Sequence, residues 1–382
     1  MRILIAHSAY LAGPVSGENR VAEDEATLLR EAGHDVATWT PAPSEGGPAR
    51  LLQTGARAIW SRQATGTIAE LVRRHRSQVV HVHNLFPMLS PAAIRAARRE
   101  GAAVVMTLHN YRLLCLPATF LRDDRTCELC LGHIPWRGVR YRCFRGSVAG
   151  SAALATSLTL HRGLGTFGRV SRFLAVSEFV RRKHVTAGLP ADRISVKPNF
   201  AWAAPRRVGP GEHFIFVGRL GPEKGIGTLV DAWRDVPAPL VIVGAGPEAE
   251  RLAATAPATV RLLGTLPPHE VAGWIGRARA LLIPSILYEG APRTVVEAYA
   301  SGVPVLASRI GALPEAVEDG SSGLLVNPGD RSAWAQASRR LLDDSLSERL
   351  GEGAFRLWTA RFGPERALEN LESSYREALA AS

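Results

Sequence analysis

The sequence predicts an α/β protein made of two doubly wound parallel sheets. Its length of 382 residues exceeds what one hydrophobic core usually serves. Short β-branched or apolar runs alternate with helical patterns throughout, which favours parallel sheets covered on both faces. The alternation restarts after the segment 198–211, which holds three prolines and two glycines. We therefore predict two domains, at 1–203 and 204–361, followed by a helix in 362–382.

Each predicted strand is a short apolar run. The first domain is expected to hold five strands, at Ile3–Ala6, Val36–Trp39, Val79–Val82, Val104–Leu108 and Phe173–Val176. The second is expected to hold five more, at Phe214–Val217, Leu240–Val243, Val260–Leu263, Ala280–Ile283 and Val303–Ala307. The last helix is indicated by Leu368, Leu371 and Tyr375, spaced three and four residues apart after Pro364. Open α/β sheets bind ligands beyond the carboxyl ends of their strands, so functional residues should lie in the loops that follow them.

Charge is distributed unevenly along the chain. Residues 1–203 hold 27 basic and 14 acidic residues, whereas residues 204–382 hold 19 and 21. A solvated basic face explains the excess, and so does an anionic partner, either a membrane surface or a phosphorylated acceptor. The start of the chain has only a short apolar run, and no stretch approaches the ~18 to 20 apolar residues that span a bilayer. We expect a cytoplasmic protein, with a peripheral position on the inner face of the membrane as an option.

The loop after the strand Phe214–Val217 has the residues of an anion site. Gly218 and Arg219 come first, and Lys224 and Gly225 follow. Glycine lets the backbone approach a ligand closely, and an Arg and a Lys five residues apart can clamp one diphosphate from two directions. Taken alone, the pattern is explained equally well by turn glycines and surface charges.

A second motif follows the strand Ala280–Ile283. Pro292 is predicted in a first helical turn, so that the amides after Gly290 point from a helix N-terminus towards a phosphate. Glu289 precedes this helix and Glu297 lies within it. Eight residues of helix rise ~12 Å, too far for the two carboxylates to share one proton. We expect each to hold a different sugar of one nucleotide-sugar; solvated helix charges are the alternative.

These motifs resemble the signature of family 4 glycosyltransferases. The resemblance is carried by Glu289 and Glu297 with seven residues between them, together with Gly218-Arg219-Leu220 and Glu223-Lys224-Gly225. It implies the GT-B fold, in which two Rossmann-like domains face each other across a cleft and a C-terminal helix returns to the first domain. It also implies a retaining hexosyltransferase that uses a nucleoside-diphosphate sugar, with UDP or GDP as the nucleotide and no cofactor for catalysis.

The resemblance implies a role for each matching residue. Arg219 and Lys224 would bind the donor diphosphate, Glu289 would meet the sugar hydroxyls and Glu297 the ribose. His109 resembles the family histidine that reaches the donor sugar near its C6 position, so the implied catalytic residues are Glu289, His109, Arg219 and Lys224. The implied donor-binding residues are Gly17, Gly218, Arg219, Lys224, Thr265, Leu266, Gly290, Ala291, Pro292, Arg293, Thr294 and Glu297.

Several first-domain residues have a plain structural explanation as well. Gly17 resembles the family's glycine loop, with a helix expected to start near Asn19, but a tight turn explains Gly17 equally well. A hydrogen-bonded core histidine is the alternative for His109, and we assign His81 and His83 mainly to structure. Ser177 could meet a phosphate or acceptor, but capping the next helix suffices to explain it.

All four cysteines lie between Cys115 and Cys143, with gaps of eleven, two and twelve residues. Thiolates suit tetrahedral zinc, but only Cys127 and Cys130 form a tight pair. The segment 110–146 resembles an insert found in a subset of bacterial family 4 enzymes. We expect a structural zinc site with Cys115, Cys127, Cys130 and Cys143 as ligands; buried free thiols or disulfides are the alternatives.

The same insert interleaves basic and aromatic residues. These are Arg122, Arg125, Arg137, Arg140, Arg142 and Arg145, with Trp136, Tyr141 and Phe144. The combination suits a membrane interface or an acceptor phosphate. We prefer the acceptor, because the first domain binds acceptors in this family.

The predicted function is sugar transfer to a hydroxyl acceptor, lipid-linked or phosphorylated, in cell-surface polysaccharide or glycolipid assembly. A natural-product glycosyltransferase is the main alternative, and an epimerase or phosphorylase of the same fold is a further one. A dinucleotide-dependent oxidoreductase should show glycine-x-glycine-x-x-glycine after the first strand, where this chain has Gly13 and Gly17 only. No groove-reading helix or aromatic RNA platform is recognisable, so no nucleic-acid partner is predicted.

Overall fold

Two six-stranded parallel sheets organise the computed structural model, which describes residues 1–9, 17–42 and 48–382. The chain divides into a first unit of residues 1–120, 127–197 and 368–382 and a second unit of residues 121–126 and 198–367. The sequence-based boundaries stood after residues 203 and 361. The prediction of two doubly wound parallel sheets is confirmed, and the end of the last helix belongs to the first unit, as expected.

The first half of the chain, up to Lys197, begins with a β-strand and alternates strands with helices. Its elements are β1 (Arg2–His7), α1 (Gly17–Glu31), β2 (Asp35–Trp39), α2 (Pro48–Ile59), α3 (Arg62–His75), β3 (Val79–Asn84), α4 (Ala92–Arg99), β4 (Ala103–Leu108), β5 (Leu121–Arg122), β6 (Arg125–Thr126), α5 (Trp136–Arg140), α6 (Val148–Gly163), β7 (Arg172–Ala175), α7 (Glu178–Thr186) and β8 (Ile194–Val196). The sheet order is β2-β1-β3-β4-β7-β8. β3 and β4 are buried along their whole length, as expected of strands covered on both faces.

The second half repeats the pattern after Pro198. Its elements are β9 (His213–Val217), α8 (Ile226–Ala232), β10 (Leu240–Val243), α9 (Ala249–Thr255), β11 (Val260–Gly264), α10 (Pro268–Gly276), β12 (Ala278–Ile283), α11 (Arg293–Ala300), β13 (Val305–Ser308), α12 (Leu313–Ala316), β14 (Gly323–Val326), α13 (Arg331–Arg340), α14 (Asp344–Leu357) and α15 (Pro364–Ala380). The sheet order is β11-β10-β9-β12-β13-β14. Ile215 and Leu281 pack on one face of this sheet, and Phe214 and Leu282 on the other.

The strand orders fix where each unit should bind ligands. Strand order reverses direction between β1 and β3 in the first unit and between β9 and β12 in the second. The crevice beyond the carboxyl ends at such a point is the usual ligand position in open α/β sheets. The loops that follow β9 and β12 carry the two second-domain motifs, and His109 follows β4, next to β3.

Four strands were not predicted from the sequence: the two-residue strands β5 and β6, which pair with each other, and the sheet-edge strands β8 and β14. β8 is only three residues long, and β14 begins with Gly323, whose added Cβ would lie 1.9 Å from the carbonyl oxygen of Val305. Close strand approach therefore explains a glycine that sequence patterns treat as a break. Among the described residues, no helix combines the length and the apolar character needed to cross a membrane.

Candidate functional site

Three side chains from the loops after β9 and β12 meet at one carboxylate. Lys224 Nζ lies 2.7 Å from Glu289 Oε1, and the Ser285 hydroxyl donates to the same oxygen at 2.5 Å. Glu289 is only 8% exposed, whereas the Lys224 side chain is 27% exposed. The structure thus brings together two of the predicted catalytic residues, Lys224 and Glu289. Ser285 was missed, although its spacing of four residues from Glu289 was visible in the motif.

Close backbone packing holds these loops in place. Gly225 has φ +67°, and a Cβ there would lie 2.0 Å from the carbonyl oxygen of Pro284. The amide of Ile286 donates to the carbonyl of Glu223 at 3.1 Å. On the far side of Glu289, a Cβ on Gly311 would lie 2.8 Å from the Glu289 nitrogen. The glycines therefore permit contacts that set the position of the Glu289 backbone.

Arg219 and Lys224 form ion pairs with different glutamates. Arg219 Nη1 lies 2.7 Å from Glu223 Oε1, and the Arg219 side chain is 59% exposed. An exposed pair of this kind contributes little to stability. Arg219 is therefore free to turn towards an anionic ligand at little cost, whereas the Lys224–Glu289 pair is more enclosed.

The loop after β12 leads into the N-terminus of α11. Pro292 occupies the N-cap position and the helix begins at Arg293, so the expected place of Pro292 inside the first turn is corrected by one residue. In the described part of the chain, no side chain caps this helix end. Unpaired amides at a helix N-terminus favour an anion. The Asn199 side chain donates to the carbonyl of Ala291 at 2.8 Å and helps to hold the approach to the helix.

Glu297 lies within α11 and has its own cationic partner. Arg293 Nε donates to Glu297 Oε1 at 2.7 Å, and the Glu297 side chain is 33% exposed. Glu289 and Glu297 thus stand in separate ion pairs, one in the loop and one in the helix. This separation is what two contacts with different parts of a long ligand require.

The loops after β10 and β11 lie at the same edge of the sheet. A Cβ on Gly244 would lie 1.8 Å from the carbonyl oxygen of Gly218, and the Gly244 amide donates to the carbonyl of Gly264 at 2.8 Å. Thr265 and Leu266 follow Gly264 directly; Thr265 is exposed and Leu266 packs against the core. The sheet therefore brings Gly218, Thr265 and Leu266 to one edge with the α11 loop.

In the first unit, the ends of β1, β3 and β4 bring histidines together. His109 Nε2 lies 2.9 Å from His83 Nδ1, and His7 Nε2 lies 2.7 Å from Asn19 Oδ1 in α1. Burial lowers the pKa of His83 and His109 well below the ordinary value. His83, which the sequence analysis assigned mainly to structure, is thus a direct partner of His109.

Of the other first-domain candidates, Ser177 and His81 have structural contacts, whereas Gly17 has open space around it among the described residues. Gly17 is the first residue of α1, two residues earlier than the helix start expected near Asn19, and nothing lies within 4 Å of a Cβ built on it. The preceding loop, including Gly13, lies outside the described residues. Ser177 caps α7 by accepting from the amide of Val180 at 3.2 Å, as the structural explanation required. His81 is fully buried between the hydroxyls of Thr107 and Tyr375.

Cys115 is buried, and Cys127, Cys130 and Cys143 are half-buried. In the described part of the chain, the one group of three or more metal-ligand atoms within 4.8 Å of one another is Glu25, His81 and His83, so the cysteines do not form such a group. Burial raises the pKa of Cys115 to about 11 and also raises that of Cys130, which favours thiols over thiolates. The arrangement does not by itself make a tetrahedral zinc site, and the zinc assignment stays a prediction.

The insert around these cysteines exposes apolar and basic side chains together. Ile134 is 50% exposed and Trp136 47%, while the guanidinium groups of Arg112 and Arg145 lie 5.2 and 5.3 Å from the Phe144 ring centroid. From Leu129 to Ser177 the sequence contains no acidic residue. Exposed aromatic and cationic side chains of this kind suit an anionic, partly apolar partner.

Two family models match the chain. The model described as Glycosyltransferase Family 4 matches residues 15–201, and the one described as Glycosyl transferases group 1 matches residues 211–344. The chain is similar to the 2-deoxystreptamine glucosyltransferase of Streptomyces kanamyceticus, with 30% identity over 82% of this chain and 81% of that protein. It is also similar to the D-inositol 3-phosphate glycosyltransferase of Acidothermus cellulolyticus, with 29% identity over 78% of this chain and 67% of that protein.

Solved structures resemble the whole chain. A sucrose-phosphate synthase from Thermosynechococcus elongatus matches with a TM-score of 0.72 and 20% identity, covering 100% of both chains. Anabaena HepE in complex with UDP-glucose matches with a TM-score of 0.65 and 16% identity, covering 97% of this chain and 99% of that one. At these identities the likeness concerns the fold, in which two parallel-sheet α/β domains follow one another along the chain.

Proposed function

Because this chain belongs to glycosyltransferase family 4, with the GT-B fold, we propose that it is a retaining enzyme that moves a hexose-type sugar from a nucleoside-diphosphate sugar to a hydroxyl acceptor. The observation that carries the proposal is the cluster of Lys224, Ser285 and Glu289, together with the N-terminus of α11, which no side chain of the described residues caps. It offers a cation, amide donors and a fixed carboxylate within one loop system. These are the groups needed to hold a diphosphate and the sugar attached to it.

The donor diphosphate is proposed to bind between the loop after β9 and the start of α11. Arg219 and Lys224 supply positive charge, and the amides near Thr294 donate from the helix end. Such donors stabilise the negative charge that develops on the leaving nucleotide. The complex of HepE with UDP-glucose supports a nucleotide-sugar donor for a protein of this fold.

Glu289 and Glu297 are proposed to hold the two sugars of the donor. Glu289 accepts hydrogen bonds from hydroxyls of the transferred sugar, and Glu297 accepts from the ribose, as a carboxylate does in dinucleotide sites. The backbone of Gly290 to Arg293 approaches the donor, and Thr265 or Leu266 lies beside the base. Gly218 lets the loop after β9 approach the diphosphate closely, and Gly17, the first residue of α1, is proposed as a further donor contact.

In the proposed reaction, the bond from the anomeric carbon to the diphosphate oxygen breaks while the bond to the acceptor oxygen forms on the same face. The acceptor proton goes to the departing phosphate oxygen, so no protein base is needed. His109 contacts a hydroxyl of the transferred sugar. The charge on the diphosphate is balanced by Arg219, Lys224 and the helix amides, without a metal ion.

The acceptor is proposed to be a hydroxyl on a lipid-linked or phosphorylated intermediate of cell-surface polysaccharide or glycolipid assembly. The net charge of residues 1–203 and the acid-free stretch from Leu129 to Ser177 support an anionic partner at this part of the chain. The D-inositol 3-phosphate glycosyltransferase of Acidothermus cellulolyticus, by its name, uses a phosphorylated acceptor. On this proposal the protein works at the inner face of the membrane.

A natural-product glycosyltransferase is the second candidate. It is favoured by the similarity to the 2-deoxystreptamine glucosyltransferase, which covers 82% of this chain. The two candidate functions are distinguished by measuring sugar transfer from the accepted donor to two acceptors. One is 2-deoxystreptamine and the other is the lipid fraction of a membrane extract. Turnover of the lipid fraction alone supports the cell-surface proposal, and turnover of the aminocyclitol alone supports the second candidate.

The donor proposal is tested by titration calorimetry against UDP-, GDP- and dTDP-sugars. We expect one nucleotide to bind tightly, and we expect Arg219→Ala and Glu289→Ala to weaken binding at least tenfold. Arg331→Ala is the matched control, because Arg331 is an exposed arginine at the start of α13, outside these loops, and pairs with Asp235. Binding of none of the nucleotides by the unmodified protein contradicts the proposal.

A further inference from the structure

The first unit contains a fully buried ion pair that the proposed reaction does not use. Glu25 in α1 and Lys197 after β8 form a hydrogen-bonded ion pair, and both side chains are 0% exposed. Removing two charges from water is costly, and well-packed apolar residues would serve stability at least as well. Stability alone therefore does not account for this buried pair, and its other contacts indicate a further role.

Glu25 is the start of a chain of contacts that ends at His109. One carboxylate oxygen faces Lys197, and the other, Oε2, lies 3.6 Å from His83 Nε2. Neither Glu25 Oε2 nor His83 Nε2 has a hydrogen-bond partner in the described part of the chain, although both are buried. His83 Nδ1 lies 2.9 Å from His109 Nε2. Glu25, His83 and His109 thus form a line from a buried charge to a half-buried ring.

The same carboxylate and histidines have the ligand types of a metal site, but the contacts argue against that use. His81 has both ring nitrogens engaged, with the Thr107 and Tyr375 hydroxyls at 2.8 Å each. Lys197 already supplies a positive charge at Glu25. A divalent cation would have to share this enclosed space with an ammonium group, which like-charge repulsion opposes.

The proton positions along the line follow from its charge. A neutral imidazole has one N–H, which must lie on one of its two nitrogens. An ionised Glu25 favours the His83 proton on Nε2, facing Oε2. His83 Nδ1 then accepts, so the His109 proton must lie on Nε2 to fill the 2.9 Å contact. His109 Nδ1 is left without a proton, as a hydrogen-bond acceptor.

We propose that Glu25 is a positioning residue which, through His83, fixes His109 in the Nε2–H tautomer, so that His109 Nδ1 accepts a hydrogen bond from a hydroxyl of the donor sugar. The donor sugar as the ligand of His109 rests on the proposed function, whereas the tautomer of His109 does not. Lys197 acts by keeping the Glu25 carboxylate ionised against the effect of burial, since an opposite charge favours the charged form. Burial by itself raises the pKa of Glu25. Without Lys197, a proton on the carboxylate would reverse the donor and acceptor roles in the hydrogen bond between His83 and His109.

The test uses the full-length protein labelled with 15N-histidine and two-bond proton–nitrogen correlation spectra, which distinguish the two imidazole tautomers. His109→Gln assigns the His109 signals. In the unmodified protein we expect His109 as the Nε2–H tautomer. In Glu25→Gln, the amide can donate to His83 Nε2, and we expect His109 to change to the Nδ1–H tautomer. Tyr375→Phe is the matched control, because it removes a partner of His81 in the same cluster but not in the line, and it should leave His109 unchanged.

Nδ1–H in the unmodified protein overturns the inference, and so does an unchanged His109 tautomer in folded Glu25→Gln. Because the first of these needs no variant, the inference stays testable even if Glu25→Gln does not fold. Neither measurement needs a donor, so they are independent of the proposed function.

Steady-state kinetics of Glu25→Gln then test whether the tautomer of His109 affects its contact with the donor sugar. With UDP-glucose or GDP-mannose as the probe, Glu25→Gln should lower kcat/KM about 10- to 100-fold, since a buried partner is left mismatched. The corresponding 6-deoxy donors, UDP-6-deoxyglucose and GDP-rhamnose, lack the C6 hydroxyl that His109 is proposed to contact. With these donors, Glu25→Gln should lower kcat/KM much less. Equal losses with both donors of a pair would point to a merely structural role and overturn the proposed contact. Failure of the unmodified protein to use any donor would instead contradict the proposed function and leave the tautomer result standing.

Discussion

The two units each hold a carboxylate paired with a lysine, but the pairs differ in exposure and in origin. In the second unit, Lys224 and Glu289 come from two loops that touch through their backbones, and Lys224 remains 27% exposed. In the first unit, Glu25 and Lys197 lie 172 residues apart in the chain and are fully enclosed. The pair proposed to bind a ligand thus stays accessible at a loop, whereas the pair proposed to position another residue is fully buried.

The largest effect is expected from breaking the enclosed pair. Lys197→Met leaves Glu25 as an uncompensated buried group and should cost about 3 to 5 kcal/mol of unfolding free energy. Urea unfolding, with hydrogen exchange of β3 amides to report on the first unit, measures the loss. Arg331→Ala, which breaks an exposed pair with Asp235, should cost less than about 1 kcal/mol.

The double variant Glu25→Leu/Lys197→Met sharpens this result. Replacing both charges removes the unpaired group, so most of the lost stability should return. If Lys197→Met alone is as stable as the unmodified protein, the pair is not the buried, costly arrangement described above.

The next largest effect is expected at the accessible pair. Glu289→Gln keeps the size of the side chain and can still accept from Ser285, but it removes the charge beside Lys224. We expect kcat/KM for the accepted donor to fall about 10²- to 10³-fold, as when one charge-stabilising group is removed from an active site. Steady-state kinetics and a thermal melt measure activity and folding separately. Glu297→Gln should act chiefly on donor affinity, and equal kcat losses in both variants would refute the separate roles.

A smaller difference is expected between variants of Lys224 and Arg219, the two cations of the loop after β9. Lys224→Met disturbs a half-enclosed pair and Arg219→Ala an exposed one, so we expect the nucleotide Kd to rise more in Lys224→Met, by about tenfold or more over Arg219→Ala. Calorimetry at two salt concentrations measures this. A larger effect of Arg219→Ala would show that Arg219 turns away from Glu223 and becomes the main diphosphate contact.

The smallest effect is expected on the surface of the insert. Arg140→Gln and Arg142→Gln each remove an exposed positive charge from a stretch without acidic residues. If this surface meets an anionic membrane, each should weaken binding to vesicles of three parts phosphatidylcholine and one part phosphatidylglycerol about fivefold, since one such charge contributes about 1 kcal/mol. Arg331→Gln should have no effect. Binding that is equally strong to neutral vesicles would contradict the electrostatic partner.

The second unit was the more predictable of the two. Gly218, Lys224 and Glu289 lie in loops directly after strands, so a parallel sheet must bring them to one edge. The start of α11 was predicted to within one residue, because proline fixes the backbone there. The pairing of Arg219 with Glu223 was not predicted, because surface side chains of this length choose among several nearby partners.

The alternation of strands and helices, and with it the fold and the loops that carry the motifs, could be predicted from the sequence alone. The period of apolar residues and the placement of glycine and proline are local properties, so they can be recognised without knowing what packs against them. The sequence did not predict that Glu25, His83 and His109 form one line, or that Lys197 lies at its buried end. These residues lie in α1, at the ends of β3 and β4 and after β8, and no spacing along the chain relates them. Their contacts follow from the order of strands in the sheet, because burial forces each polar group to find whichever partner the packing leaves within reach.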